Sequence, residues 1–346
     1  MKKIILTIDY ELFLGPKTGN VKECMIEPTE KLALIIEKNG SRMTVFWDIL
    51  HYYQLLQLEN QHLELKQDKL LIEKQILDLI RRGHDVQLHI HPHWLDAKYE
   101  KGIWNFDYKR FKLHTLSNEN NPDDINTIIG CVSLSKKLME HLIRKVKPEY
   151  KVNAYRAGGY LIEPFIKIKE ALLINEIKID SSVCPNSIND NEIFSFDFRS
   201  YPNKAKYYFE STPKAIENNG SFLEVPITTV KIPAVINLFF KFLRKIKYPD
   251  LEDERKGSGT GEYSKRKGIN IYNKIFSVIH SRVSQLTTDS NFRERLSYLV
   301  KRVGENSTMI LHPKLLNKHT LGTLENYVSA NKIRFISIQE FEPDVE

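Results

Sequence analysis

A histidine-rich segment at residues 83–94 constrains this chain more than any other feature, because four of its eleven histidines lie there. Apolar and polar residues alternate through it with the period of a strand that has one polar face, as Val86-Gln87-Leu88-His89-Ile90-His91. Burying a row of imidazoles is costly unless something pairs with them. Neutral imidazole is the commonest protein ligand for divalent metals, so the segment favours a metal site. A solvated strand end, or histidines hydrogen-bonded in a core, is the alternative.

The composition indicates an ordinary globular protein. The chain has 346 residues, of which 41% are hydrophobic and 27% are charged. We predict a single domain over residues 1–346, with a helical insertion at 231–302 that contains a flexible linker at 250–267. The net charge of +7 is spread along the chain, which favours anionic surfaces, and no nucleic-acid motif is present. Nucleic acid is therefore not an expected partner.

The cysteines and the apolar runs bear on the compartment. Cys24, Cys131 and Cys184 are far apart and odd in number, so the sequence contains neither a disulfide framework nor a metal knuckle. No window approaches the roughly 20 apolar residues of a membrane helix, and the apolar run at residues 4–6 is too short for a signal peptide. We expect a cytoplasmic protein.

The order of the predicted elements indicates an α/β fold. Residues 3–11 form an almost continuous apolar strand, as expected when both faces are covered. Seven β-then-α units follow one another along the chain, and such units predict a parallel sheet with right-handed crossovers. The active site is then expected at a barrel mouth or at a sheet edge.

Reactive side chains follow the predicted strands at several separate places. They are Asp9 and Glu11, His89 and His93, Arg156, Asp180, and His312. In a parallel barrel these strand ends share one rim. Two histidines with a carboxylate from Glu11 or Asp9 leave coordination positions open, as in catalytic zinc sites. The spare carboxylate could act as a base on water activated by the metal.

Each of these residues also has a simpler interpretation. Asp9 alone could be a surface acid, and Arg156 could serve only to pair with a carboxylate. His312 alone would be an ordinary strand residue. The functional interpretation depends on all of them occurring together.

The order of the motifs resembles the polysaccharide deacetylase family, which has the NodB homology domain and is also called carbohydrate esterase family 4. Thr7-Ile8-Asp9-Tyr10-Glu11 is similar to its first motif, Thr-Phe-Asp-Asp-Gly, and residues 83–93 resemble its second, in which two metal-binding histidines are three residues apart. Residues 155–160 resemble its Arg-x-Pro-Tyr motif, Asp180-Ser181 its Asp-Ser segment, and residues 310–312 its Leu-x-His motif. The resemblance covers residues 1–230 and 305–340.

This resemblance implies a distorted (β/α)7 barrel and a role for each matching residue. Asp9 would be the catalytic base, Arg156 would orient it, and His312 would be the general acid. His89 and His93 would bind a divalent metal, for which the ligand types favour zinc. The implied reaction is hydrolysis of an N-acetyl or O-acetyl group on a sugar or glycan precursor in cell-surface polysaccharide metabolism, with the oxyanion held by the metal and a backbone N–H near Tyr160.

The chain departs from the family pattern in several places, one of which is the absence at Val183 of the aromatic residue expected near the Asp-Ser segment. Tyr10 replaces the second Asp, a metal ligand, and its side chain should point to the other face of the strand, so Glu11 could substitute by geometry. Gly158 or Gly159 replaces the Pro of the third motif. His89 and His91 are themselves a usable ligand pair. Tyr10 leaves open a second hypothesis, a non-catalytic glycan-binding or scaffolding protein with a degenerate barrel.

The insertion begins with an amphipathic segment at residues 235–247, which is apolar first and basic towards its end. One interpretation is a helix packed on the barrel, with Ile236, Phe239, Phe240 and Leu243 on one side and the cations near its C-terminal end. The other is weak contact with the inner face of a membrane.

Overall fold

The computed structural model describes residues 1–252, 256–259, 281–289 and 291–342. The main sheet of these residues has nine strands, and β1 pairs with three of them, β2, β14 and β15. The strands are β1 (Lys2–Tyr10), β2 (Thr44–Asp48), β3 (Asp85–Ile90), β4 (Lys98–Glu100), β5 (Ile103–Asn105), β6 (Ala154–Ala157), β7 (Ile179–Asp180), β8 (Ile188–Asp190), β9 (Ser195–Asp197), β10 (Tyr207–Phe209), β11 (Phe222–Glu224), β12 (Thr229–Ile232), β13 (Arg282–Gln285), β14 (Ser307–Leu311) and β15 (Ile333–Ile336).

Helices connect most of the strands. They are α1 (Glu27–Ile36), α2 (Ile49–Leu58), α3 (Leu63–Arg81), α4 (Ile128–Ile143), α5 (Lys169–Ile174), α6 (Ala234–Lys247), α7 (Arg293–Arg302), α8 (Lys318–Ser329) and α9 (Ile338–Phe341). Shorter π or 3-10 turns lie at Lys22–Ile26, Glu37–Asn39, Pro92–Asp96, Leu113–Thr115, Gly158–Tyr160, Phe165–Lys167, Pro249–Glu252 and Pro313–Leu315.

The main sheet curls into the predicted distorted barrel. Seven parallel strands follow one another in the order β11-β7-β6-β3-β2-β1-β14, with β15 beside the start of β1 and β10 antiparallel to β11. The two ends are joined by hydrogen bonds rather than by a strand ladder: the Thr228 N–H donates to Thr308 O over 3.0 Å, and the Ile310 N–H donates to Leu286 O over 3.0 Å. The fold is therefore a seven-stranded barrel with an irregular seam.

Two apolar cores lie on the two faces of the sheet. The larger contains Ile4, Leu6 and Ile8 of β1 and fills the layer between sheet and helices. The smaller fills the barrel interior, where one side chain from each of several strands meets the others: Ile5, Phe46, Ala154, Ile179, Leu223, Val225 and Ile336, with Ile338 of α9. Because successive strand residues face opposite sides, Thr7 and Asp9 follow Ile5 on the interior face. The interior is thus apolar at one end and polar at the other.

The segment predicted as a helical insertion, 231–302, is described only in part. Its described residues include helices α6 and α7 and also strand β13, which pairs antiparallel with β12. Of the predicted linker, residues 253–255 and 260–267 lie outside the described residues. Its residues 256–259 contact the barrel, since the Ser258 N–H donates to Lys17 O over 2.7 Å and Ser258 Oγ accepts from the Lys17 N–H over 3.0 Å. The domain division stays a prediction.

Within the described ranges, the helices are too short or too polar for any one of them to cross a membrane.

Candidate metal and catalytic site

The C-terminal half of β1 places alternate side chains on opposite sides of the barrel wall. Asp9 and Glu11 are buried and line the interior cavity. Tyr10 points the other way, as the period of the strand predicts, and its hydroxyl donates to Gln75 Oε1 of α3 over 2.8 Å. Glu11 therefore supplies the carboxylate at the mouth, and Tyr10 belongs to the layer between sheet and helices.

Two histidines of the β3 segment face Glu11. His89 Nε2 lies 3.4 Å from Glu11 Oε2, and His91 Nε2 lies 2.7 Å from the same oxygen. The two Nε2 atoms are 3.1 Å apart. His89 Nδ1 donates to Arg156 O over 2.8 Å, which fixes the ring and leaves Nε2 directed at the cavity. His89 and His91 share a face because they are two residues apart in extended backbone.

His93, predicted as the second histidine ligand, lies outside this cluster. The chain turns into a 3-10 segment at Pro92, and the ring of His93 stacks on Phe111 at 4.9 Å between ring centroids. Its two ring nitrogens are buried without a hydrogen-bond partner among the described residues, and burial lowers the pKa of His93 well below its usual value. The structure brings His91, and not His93, together with Glu11 and His89.

The three converging atoms suit a divalent cation. Their separations of 2.7, 3.1 and 3.4 Å are close to the roughly 3.3 Å between neighbouring ligands of a tetrahedral ion with bonds of about 2.05 Å. Glu11 Oε2 is a buried oxygen without a hydrogen bond of acceptable geometry among the described residues. An ion at the centre of the cluster would satisfy that oxygen and both imidazoles.

Arg156 holds Asp9 in place across the barrel interior. Its Nη1 donates to Asp9 Oδ1 over 2.5 Å, and its Nη2 donates to Thr7 Oγ1 and Ser181 Oγ, both over 2.9 Å. Its guanidinium lies 4.1 Å above the ring of Phe46. Arg156 is fully buried, so its charge requires the carboxylate, and the carboxylate requires the arginine.

His312 approaches the same carboxylates from β14. Its Nε2 lies 3.5 Å from Asp9 Oδ2 and 3.7 Å from Glu11 Oε1. On the other side of the ring, Nδ1 lies 2.6 Å from Asp289 Oδ2, and the backbone N–H of His312 donates to Asp289 Oδ1 over 2.9 Å. Burial acts to lower the pKa of His312, but Asp289, together with Asp9 and Glu11, outweighs it and the pKa is raised. Asp289 thus orients the ring and favours its protonated form.

A second cation fixes Glu11. Lys314 Nζ donates to Glu11 Oε1 over 2.8 Å and to Leu12 O over 2.6 Å, so the other carboxylate oxygen is the one directed at the histidines. Burial acts to raise the pKa of Glu11, but Lys314 and His91 outweigh it and hold the pKa well below its usual value. For Asp9, burial is likewise outweighed, chiefly by Arg156, and the pKa is lowered. Both carboxylates are ionised at neutral pH.

These carboxylates in turn affect His89. Burial acts to lower its pKa, but Asp9 and Glu11 raise it to about 9. A metal ligand must be a neutral imidazole, so an ion that binds here has to displace that proton.

Gly158 makes room for the ring of His91. A Cβ added at Gly158 would lie 2.7 Å from His91 Nδ1 and 2.5 Å from Ile90 O, both too close. Gly159 and Tyr160 follow in the left-handed region, with φ of 61° and 65°, and turn the chain along the cavity wall. The absence of a side chain at Gly158 is therefore matched to the position of His91.

The cavity over these groups has a volume of about 270 Å³. Its floor is formed by the acids and histidines described above, and its walls are mainly aromatic and aliphatic, with Phe13, Leu14, Phe111, Tyr160, Phe194 and Leu315. The tryptophans lie elsewhere: Trp47, Trp94 and Trp104 are buried in the larger core.

Asp180, predicted at the rim, faces the outside of the barrel instead. Its register partner on β6 is Tyr155, a member of the core between sheet and helices. There it interacts with Glu224, its partner on β11. Ser182 Oγ donates to Asp180 Oδ1 over 2.7 Å, and the Val183 N–H donates to Glu224 Oε1 over 3.2 Å.

Sequence reasoning missed three charged residues of the site. Asp289 follows β13 in an irregular stretch with no motif around it. Lys314 is two residues after His312, and that spacing was the available signal. Asp48, at the end of β2, is buried beside His89 in the sheet register and accepts a hydrogen bond from Trp94 Nε1 over 2.6 Å. Burial raises the pKa of Asp48 to about 6.

No protein-family model matches the sequence, and no curated protein matches it. Similar solved structures include a protein assigned as a polysaccharide deacetylase from Mycobacterium smegmatis, with 10% identity, a TM-score of 0.41, and coverage of 98% of this chain and 89% of that chain. A family 4 carbohydrate esterase from Streptomyces lividans, in complex with acetate, has 9% identity and a TM-score of 0.38, with coverage of 96% and 91%. Peptidoglycan deacetylase PdaC from Bacillus subtilis has 10% identity and a TM-score of 0.35, with coverage of 99% and 90%. At these values, the chemistry of this chain has to be inferred from its own residues.

Proposed function

We propose that this chain is a metal-dependent hydrolase that acts in cell-surface polysaccharide metabolism. It would remove an acyl group, most readily an N-acetyl group, from a sugar or glycan precursor. One observation carries the proposal. Glu11, His89 and His91 converge within 4.8 Å of one another in a cavity that also contains the Asp9–Arg156 pair and the His312–Asp289 pair. A ligand set, an ionised carboxylate and an oriented imidazole are the groups that metal-assisted acyl transfer requires.

In this proposal Glu11, His89 and His91 hold the ion, and two imidazoles with one carboxylate favour zinc. When bound, the ion supplies Lewis-acid polarisation of the acyl carbonyl and of water. Asp9, kept ionised by Arg156, accepts the proton of the attacking water. His312, with Nδ1–H directed to Asp289, presents Nε2 to the leaving amine or alcohol and protonates it.

The shape of the cavity supports a sugar substrate. Its floor is polar, and the aromatic walls around it offer apolar faces to a sugar ring, notably Tyr160 and Phe194. We also propose a cytoplasmic setting, which the three free, buried cysteines support. A glycan precursor is the substrate that fits this setting.

The alternative, a glycan-binding or scaffolding protein, depended on Tyr10. That residue lies on the outer face of β1, and Glu11 supplies a carboxylate to the two histidines in its place. A protein that only binds sugars has no need for a base and an acid on opposite sides of a ligand cluster. The geometry therefore favours the hydrolase.

The test combines metal analysis with an assay of acetate release. Purified protein is incubated with zinc, cobalt or manganese, dialysed, and analysed for bound metal, and acetate release from N-acetylglucosamine oligosaccharides and from an acetylated ester is measured. We expect about one equivalent of metal, loss of activity on chelation, and recovery when metal is restored. Absence of both bound metal and metal-dependent acyl release would refute the proposal.

Two histidine variants locate the site. His91→Ala should lose both metal and activity, because it removes one imidazole from the cluster. His93→Phe keeps an aromatic ring against Phe111 and should retain both. If His93→Phe loses the metal and His91→Ala keeps it, the ligand pair His89 and His93 expected from the motif spacing is correct instead.

A further inference from the structure

Helix α6 presents its apolar side to solvent. Its residues at positions i, i+4, i+7 and i+11 form one stripe, and all are exposed: Val235 at 77%, Phe239 at 53%, Phe242 at 62% and Ile246 at 65%. A helix on the surface of a globular protein normally turns such a stripe towards the core. In α6 the apolar stripe faces solvent instead.

The opposite side of α6 makes the contacts with the rest of the protein. Asn237 and Phe240 are buried. The ring of Phe240 packs against Phe292 and Tyr298, at 5.9 and 5.4 Å between centroids. Phe240 thus packs against α7 and the residue before it, within the predicted insertion, whereas Phe239 is turned to solvent. The helix is held firmly while its apolar stripe stays outside.

Basic residues lie beside the apolar stripe. Lys241, Arg244 and Lys245, together with the apolar Leu238 and Phe242, line a cleft of about 610 Å³ next to the helix. Phospholipids present the matching chemistry, since an anionic phosphate stands directly above apolar chains.

We propose that α6 docks the protein on an anionic lipid surface, with the apolar stripe in the lipid and the neighbouring cations at the phosphates. The pairing of an apolar stripe with flanking lysines matches a bilayer surface better than it matches a second protein, because buried protein interfaces are depleted in lysine. This inference is independent of the reaction proposed above.

The docking surface is connected to the cavity by a short stretch of chain. Helix α6 is followed by the turn at Pro249–Glu252, and Lys318 at the start of α8 binds Asp250 of that turn over 2.9 Å. Gly259, a few residues further on, lines the cavity of the candidate site.

The test is sedimentation of the 346-residue chain with phosphatidylcholine vesicles, with and without phosphatidylglycerol, at low and high salt. We expect binding to the anionic vesicles that weakens with salt. The double variant Phe242→Ser/Ile246→Ser should bind at least about tenfold more weakly, because each large apolar side chain contributes about that factor on burial. Lys241→Gln/Lys245→Gln should lose the preference for anionic lipid.

The matched control removes equal exposed apolar surface elsewhere. Ile166 and Ile174 are exposed by 61% and 57%, and Ile166→Ser/Ile174→Ser should bind vesicles like the unaltered protein. No binding of the unaltered protein to anionic vesicles at low salt would overturn the proposal. So would a dimer that the α6 double variant converts to monomer without changing vesicle binding. A lower Tm of that variant would assign the stripe to an intramolecular contact, and it too would overturn the proposal.

Discussion

Two buried pairs of carboxyl groups lie on the two faces of the barrel wall, and they differ in the charge of the groups that donate hydrogen bonds to them. At the mouth, Asp9 is bound by Arg156 and Glu11 by Lys314, and the pKa of each carboxyl is lowered. On the outer face, the donors to Asp180 and Glu224 are neutral hydroxyl and N–H groups. Burial, the largest influence there, raises both pKa values, that of Glu224 well above its usual range.

The difference shows what keeps a buried carboxyl group ionised. A carboxylate that must accept a proton or hold a metal requires a cation close by, because burial alone favours the neutral form. The outer pair lacks such direct support and is suited to sharing a proton, which ties β7 to β11. Burial therefore does not distinguish a catalytic acid from a structural one, whereas its ion-pair partner does.

The largest predicted effect is a difference in activity and metal binding between the glutamine variants of Glu11 and Glu224. We expect Glu11→Gln to abolish activity and to weaken metal binding by more than the 10–100-fold typical of losing an outer partner of a metal ligand. Glu224→Gln should leave both unchanged, since the raised pKa of Glu224 favours its neutral form and Gln keeps an acceptor for the Val183 N–H. Metal titration and acetate release measure both. Equal losses in the two variants would contradict the assigned difference.

A smaller effect is expected on kcat, which should differ between the asparagine variants of Asp9 and Asp180. Asp9→Asn is expected to lower kcat by about 10²–10⁴ with little change in KM, as for the loss of a general base. His312→Ala should act similarly through loss of the acid. Asp180→Asn retains an acceptor for Ser182 and should have normal kinetics. A rise in KM alone for Asp9→Asn would assign that residue to substrate binding.

The smallest effect concerns stability against pH. The lowered pKa values of Asp9 and Glu11 give stability that is present above their unfolded values and lost as the pH falls through the folded ones. The raised pKa of Glu224 works in the opposite direction, because stability is lost as the pH rises from the unfolded value to the folded one. A tenfold difference in the acid dissociation constant between the folded and unfolded chain corresponds to about 1.4 kcal/mol of stability.

Glu224→Gln should therefore raise Tm at neutral and alkaline pH and leave it unchanged below the unfolded pKa of the carboxyl. Thermal melts of the metal-free protein across the pH range measure this. A variant that is less stable than the unaltered protein at pH 8 would show that Glu224 is ionised and favourably paired in the folded state.

Strand periodicity predicted much of the fold and about half of the site. It placed Asp9 and Glu11 on the inner face and Tyr10 on the outer one, because alternation along a strand depends only on local geometry. The rule that parallel strands share a rim brought Arg156 and His312 to the same place.

The failures have equally local causes. A 3-10 turn begins at Pro92, so His93, the second histidine of the motif spacing, lies away from Glu11 and His89, and its role as a ligand stays a prediction. Asp180 comes one residue out of phase with the inward-facing Ile179, and a shift of one residue reverses the face. Asp289 lies in an irregular segment, where no periodicity exists to place a side chain.

The position of β1 has a consequence for how the chain folds as it is made. This first strand pairs with β2 on one side, but its remaining partners, β14 and β15, are close to the other end of the chain. Such distant pairings are slow to form, and an incompletely paired strand is open to association with other chains while synthesis continues. Asp9 and His312 are brought together by the pairing of β1 with β14, so the proposed base and acid meet only after β14 has left the ribosome.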